Sequence, residues 1–189
     1  PILSKKIYGK SLSFLDSGAS AQKPQAVIDC MREAYETYYS NVHRGAHYLS
    51  QCSTDAYEEA RGVIAGFMNA PSEKNIVITS GVTESINLVA ATWGRKFLNE
   101  GDEVVVTEME HHANIVPWQM LREEKGVVLK VAPVRDDGSF DLEDFEACLG
   151  PRTKLVAVTE LSNVLGTQVP VKEVAKMAHQ IGAKVLVDG

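Results

Sequence analysis

The stretch EMEHHAN, residues 108–114, places Glu108 and Glu110 directly before two adjacent imidazoles, His111 and His112. Such a group admits three chemistries: metal ligation, proton transfer, or stacking of a flat ring on a heterocycle. Read as an extended segment, Glu108, Glu110 and His112 share one face, with Met109 and His111 on the other. Residues two apart on a strand are separated by about 6.5–7 Å, too far for three ligands on one ion without a bend. Adjacent histidines also lack the i, i+4 spacing of helical zinc sites. An imidazole packed for shape or at a helix entry remains open beside the stacking reading.

Two further stretches carry polar groups where chemistry could gather. SGVTES, residues 80–85, links an apolar run to a helical pattern. Gly81 permits a tight turn, the first helical amides are free, and Thr83 adds a hydroxyl, which suits a phosphate monoester. The same residues also read as an ordinary helix start with Ser80 or Thr83 as the cap. No Gly-Lys-Ser/Thr follows, so this is not a Walker loop. Asp188 closes the apolar run KVLVD. A carboxylate at that depth needs a partner: a protonated ring nitrogen, an arginine, or the start of the next segment. Anion cradle, flat imidazole and buried acid together form the set that pyridoxal phosphate requires, apart from a lysine to bind it covalently.

The elements that must position these groups alternate. Val- and Ile-rich runs at 76–79, 103–108, 127–134, 154–161 and 184–188 read as strands covered on both faces. Helical patterns fall at 83–98, 115–125 behind Asn114 as a cap, 142–149, and 171–181 after Pro170 and before Gly182. The alternation predicts an α/β domain with a mainly parallel sheet flanked by helices, and ligands in such sheets bind beyond the carboxyl ends of the strands. Upstream, amphipathic helices are predicted at 24–39 and 54–68, separated by the polar stretch NVHRGAHYLS, residues 41–50.

The chain has 189 residues and a formal charge of −6, which argues against a general nucleic-acid or anionic-membrane binder. No apolar run approaches the roughly 18–20 residues that span a bilayer, and the N-terminus lacks a signal-peptide pattern. Three scattered cysteines, Cys30, Cys52 and Cys148, give no disulfide framework and point to a reducing, cytoplasmic setting. The stop at Gly189, just after a buried strand, predicts an incomplete chain.

Beyond these patterns, LDSGASAQKP (15–24), NVHRGAHYLS (41–50), TSGVTESINLVA (79–90), EMEHHANIVPWQML (108–121), SNVLGTQVPV (162–171) and AHQIGAKVLVDG (178–189) resemble the group II, SufS-like cysteine desulfurases of the class V aminotransferase superfamily. The resemblance covers nearly the whole chain in order. It implies a fold type I pyridoxal-phosphate enzyme, a homodimer, that takes sulfur from L-cysteine, releases L-alanine and passes a persulfide to a SufE-like acceptor for iron–sulfur cluster assembly. On that likeness His111 stacks on the cofactor ring and is the catalytic residue within the chain, while Asp188 pairs with the ring nitrogen. Thr83 and Val82 lie at the phosphate, Asn163 near the cofactor oxygen and the substrate carboxylate, and Ala19, His43 and Arg44 toward the substrate. No metal is implied.

The family's Schiff-base lysine and nucleophilic cysteine have no counterpart in these residues, so the fragment alone is expected to be inactive. Residues 1–52 would form an N-terminal segment with a helix and an active-site loop. Residues 53–189 would be the first part of the cofactor-binding large domain, with its remainder and a C-terminal small domain absent. Val82 stands where relatives often carry Thr, Gly18 where Ala is common, and Glu160 where His is frequent. Two alternatives stand beside this reading: a selenocysteine lyase or other class V enzyme, and a non-catalytic α/β binding module.

Overall fold

The computed structural model describes residues 2–189, which divide into two compact units, one ending at Ile78 and the other running Thr79–Gly189. The first unit opens with an antiparallel ribbon of β1 (Lys6–Ile7) and β2 (Lys10–Ser11). Its turn uses Tyr8 and Gly9, both at positive φ (52° and 78°), as a tight two-residue hairpin demands. Helix α1 (Gln25–Thr37) starts after Pro24. Its apolar stripe of Val27, Ile28, Met31 and Tyr35 is exposed, and α1 buries no residue.

Helix α2 (Tyr48–Phe67) begins earlier than the apolar periodicity predicts. The reason lies in side chains that the pattern does not weigh: His47 Nδ1 accepts the Ser50 amide, closing the helix start. Two buried serines then fasten the preceding loop to α2. Ser50 Oγ donates to the Asn41 carbonyl (2.6 Å) and accepts the Gly45 amide, and Ser53 Oγ donates to the Tyr38 carbonyl (2.8 Å). Gly45 must be glycine for this approach, since a Cβ there would lie 2.7 Å from Ser50 Cβ. Arg61 secures the far end by donating to the carbonyls of Glu73 (2.8 Å) and Ile76 (3.2 Å).

The second unit is built on four parallel strands, β3 (Glu103–Thr107), β4 (Val128–Ala132), β5 (Thr153–Thr159) and β6 (Lys184–Asp188), in the spatial order β4-β3-β5-β6. The mixed α/β layering and the parallel sheet are as the alternation predicted. Side chains alternate across the sheet. Val104, Val106, Leu155 and Ala157 pack with Ile86, Trp118 and Leu121 on one face. On the other face Val105, Val156 and Val158 meet Phe145, Val174 and Ala178. The first layer is covered by α3 (Val82–Val89) and α5 (Val116–Lys125), the second by α6 (Leu142–Glu146) and α7 (Val171–Gln180).

Two predicted elements differ. Residues 76–79 belong to no sheet among the described residues, and Val77 and Ile78 stay exposed. Their Val/Ile content signals β propensity, yet a strand requires a partner, and none of the four strands pairs there. The helix expected over 83–98 is not continuous: α3 passes into a π-helical turn at Ala90–Gly94 and then α4 (Arg95–Phe97). Gly94 sits against Leu121, so close that a Cβ would meet its Cδ1 at 2.7 Å.

Candidate functional site

The strand order defines where a site can form. The chain leaves β3 toward β4 on one side and returns to β5 on the other, so the carboxyl ends of β3 and β5 flank a topological switch point. The segment after β3 carries Glu110, His111 and His112, and β6 ends at Asp188 beside the end of β5, with Thr159 paired to Asp188.

His111 opens the 3-10 turn His112–Asn114, and its Nδ1 accepts the Ala113 amide at 3.1 Å. That bond leaves the proton of the neutral ring on Nε2 and sets the ring's direction. His112 lies edge-on to it (centroids 6.1 Å, 87° between planes), so the two rings cannot lie flat on one planar ligand. His111, His112 and Thr83 line one open cavity of about 300 Å³ with Asn87, Ala113, Val116 and Pro117. Among the described residues no cluster of three or more His, Cys, Asp or Glu could hold a metal ion.

Thr83 reaches this cavity from the first turn of α3. No side chain caps that helix, and Gly81 precedes it with φ 155° and ψ 174°, a conformation that belongs to glycine. The capping reading of Ser80 and Thr83 is therefore not what forms. Ser80 instead donates its amide (2.7 Å) and hydroxyl (2.5 Å) to Glu84, while Thr79 Oγ1 and Ser85 Oγ pair at 2.8 Å. The hydrogen bonds from Ser80 hold the Glu84 carboxyl below its ordinary range. The leading amides of α3 remain open, and Val82 is half exposed at the first helical position.

Asp188 is partly buried, and no described group donates a hydrogen bond to its carboxylate; its backbone carbonyl accepts the Glu160 amide at 2.8 Å and the Thr159 hydroxyl at 3.3 Å. Burial pushes its pKa upward, and the His111 imidazole opposes that push. A half-buried acid without a donor, next to an imidazole, fits a ligand that brings its own positive N–H. Asn163 lies exposed in the turn between β5 and α7, where Ser162 Oγ accepts the amides of Val164 and Leu165.

Ala19, His43 and Arg44 belong to the first unit. Ala19 is exposed in a turn, and Arg44 is exposed with no ion pair among the described residues. His43 has φ 60° and is already engaged: its Nε2 meets Glu58 Oε1 at 2.8 Å, and Glu58 also accepts from Arg61 at 2.9 Å. The three cysteines are free. Cys148 Sγ faces the Asp144 carbonyl at 3.4 Å, and burial pushes its thiol up, away from thiolate reactivity.

One residue at this rim was not singled out in its role by the sequence. Glu110, weighed there as one member of an unworkable metal set, is buried and accepts three hydrogen bonds. Thr107 Oγ1 (2.6 Å) and the Thr159 amide (3.0 Å) reach Oε1, and Asn114 Nδ2 (2.7 Å) reaches Oε2. Asn114 Oδ1 in turn accepts Trp118 Nε1 at 3.1 Å. Asn114 therefore does not cap α5 as expected, because the buried acid recruits its amide. Burial pushes the Glu110 pKa up; the three donors work against that, and the nearby Asp188 charge adds to it. The signal was present as Glu, Asn and Trp at four-residue steps, one line along the turn and helix.

Parallel sheet, switch-point cavity, open helix start and an acid without a donor together define an α/β architecture with a candidate ligand site beyond the carboxyl ends of its strands. The class V aminotransferase model matches residues 13–189, and the chain belongs to that family. It is 53% identical over all of its 189 residues to a probable cysteine desulfurase of Mycolicibacterium paratuberculosis, covering 28% of that protein. It is 53% identical over the same length to a cysteine desulfurase of Dickeya dadantii, covering 46% of it. The chain thus spans less than half the length of these curated relatives. Among solved structures, the apo cysteine desulfurase from Thermococcus onnurineus NA1 superposes with a TM-score of 0.86 at 41% identity, over 92% of this chain and 43% of that one.

Proposed function

We propose that this chain is part of a pyridoxal-phosphate-dependent cysteine desulfurase of the SufS-like group. The observation that carries the reading is the Asp188 carboxylate at the end of β6, half-buried, without a donor, and near enough to the His111 imidazole to feel its charge. The residues fit the cofactor: Asp188 would hold the ring nitrogen protonated, His111 would lie against the ring face, and Thr83, Val82 and the open amides of α3 would take the phosphate. Bound there, the cofactor supplies an electron sink for the bonds at the α-carbon of an amino acid.

The chain's own residues bind and orient around that chemistry. His111, with Nδ1 fixed by the Ala113 amide, presents Nε2 as its free proton-bearing position. An imidazole held in this way can accept or donate a proton at the reacting centre. Asn163 would contact the cofactor oxygen and the substrate carboxylate, with Ala19, His43 and Arg44 on the substrate side. Residues 1–52 would serve as the entrance segment and 53–189 as the first part of the cofactor-binding domain. L-Cysteine is the substrate: its C–S bond breaks, the sulfur ends as a persulfide on an enzyme cysteine, and L-alanine leaves. Relatives that bear the name cysteine desulfurase over the full length of this chain support that choice. A cytoplasmic homodimer feeding a SufE-like acceptor for iron–sulfur assembly completes the proposal. These 189 residues alone release no sulfide from cysteine, because the family's lysine and nucleophilic cysteine segments have no counterpart in them.

The test is Asp188→Asn in the full-length protein, with alanine formation and pyridoxal-phosphate affinity both measured. Loss of the charge should lower turnover by about a hundredfold or more while affinity changes far less, because the carboxylate acts on charge that develops in the reaction. Unchanged turnover would remove Asp188 from the reading.

A further inference from the structure

The buried chain Trp118–Asn114–Glu110 has a direction. Trp118 Nε1 can only donate, so Asn114 must present its oxygen there and its amide to Glu110. The Thr159 amide is likewise an obligate donor to the other Glu110 oxygen. Glu110 must therefore be an acceptor on both oxygens, which a carboxylate satisfies and a carboxamide does not. Through these bonds the segment leaving β3 is tied to the end of β5 at Thr159 and to α5 at Trp118. His111 is the next residue in the chain, and its imidazole is held by an amide, Ala113, that directly precedes Asn114.

We propose that Glu110 is the positioning residue for His111: an acceptor-only group that closes a one-directional hydrogen-bond chain and so fixes the backbone from which the imidazole faces the cavity. The functional meaning of that positioning rests on the cofactor reading above, but the positioning itself can be tested without the cofactor.

Glu110→Gln changes shape very little yet creates a donor–donor clash. With its oxygen toward Thr159, the new carboxamide points its NH2 at Asn114 Nδ2; if Asn114 turns over to accept, its own amide meets Trp118 Nε1. The double variant Glu110→Gln/Asn114→Asp removes the clash. The carboxamide at position 110 then donates to the carboxylate at position 114, whose other oxygen accepts from Trp118. Every bond is restored while the charge moves one step along the chain.

The experiment uses the full-length protein labelled with 15N-histidine, with the His111 signals assigned by their loss in His111→Asn. Without cofactor, the wild type should show His111 as a single Nε2–H tautomer. Glu110→Gln should give an averaged or broadened signal, and the double variant should return to the wild-type pattern. With pyridoxal phosphate added, affinity should fall about tenfold in Glu110→Gln, as expected when a buried donor loses its acceptor, and recover in the double variant. The visible circular dichroism of the bound cofactor at saturation, which depends on how the ring is held, should move and recover in parallel.

An unchanged His111 tautomer signal in Glu110→Gln overturns the proposal. So does a double variant that folds, judged by its melting curve, without restoring that signal. Should Glu110→Gln fail to fold, the double variant alone decides. Absence of pyridoxal-phosphate binding by the wild type would instead strike the cofactor reading, with the imidazole signals still deciding the role of Glu110.

Discussion

Asp188 and Glu110 stand at the same rim of the sheet, and their surroundings treat them oppositely. Glu110 has three donors and is complete; Asp188 has none. The acid without a donor is the one proposed above to receive a ligand, and the sequence singled it out because an aspartate ending an apolar strand has no local partner. Glu110 was not readable in its role, since nothing in a linear pattern shows that the amide of Thr159, 49 positions later, meets its carboxylate. His111 gives a residue-scale prediction. If it serves as a flat face, His111→Phe should retain pyridoxal-phosphate affinity better than His111→Ala, by about two- to tenfold. Equal losses in both variants, measured by fluorescence titration of the full-length protein, would argue that the ring's nitrogens matter more than its face.

Among the elements, strands at 103–107, 128–132, 153–159 and 184–188 fall within or close to the apolar runs that marked them. They were legible because a strand buried on both faces leaves little else for such a run to be. Residues 76–79 share that composition but lack a partner, and pairing is a property that composition does not carry. The break in the helix over 83–98 was hidden for a similar reason: Gly94 looks like a weak helix former, whereas its role is to admit Leu121 from α5. Gly126, by contrast, directly follows the helix expected over 115–125 and ends α5 at φ 71°. Its Cβ would lie 2.9 Å from Glu100 Cγ as well as requiring the left-handed conformation. Gly126→Ala should therefore lower the free energy of unfolding by about 1–2 kcal/mol in a urea titration. A neutral result would mean that the turn relaxes into another backbone conformation.

For the whole molecule, charge is divided between the two ends of the sheet. At the amino end of β3, Glu103 is buried against Lys130 (3.0 Å), Arg152 (3.5 Å) and the Thr153 hydroxyl (3.0 Å). Burial raises its pKa, but the bonds from Lys130 and Thr153 and the two positive charges outweigh that and hold it below the usual range. Because its folded pKa is depressed, its stabilisation is complete above the ordinary carboxylate value of about 4.3 and fades as pH falls through the lower folded value. Glu110 and Asp188, both raised, have the opposite sign: they favour the fold at acid pH and lose that contribution as pH rises through their folded values. Glu103→Gln should thus reduce the melting temperature at neutral pH and flatten its fall between roughly pH 5 and pH 3. An acid limb parallel to the wild type's would show that other carboxylates govern acid unfolding.

The divided sheet also bears on how this sequence can change over generations. Side chains at the Glu103 end answer to folding alone, so their replacements would be filtered by how much protein accumulates in the cell. Those at the other end include His111, which lines an open cavity, and on the proposed function a replacement there could leave abundance intact and still abolish or redirect the chemistry. New specificities should therefore arise by substitutions along one margin of this scaffold, while the opposite margin drifts only among solutions that keep an acid neutralised.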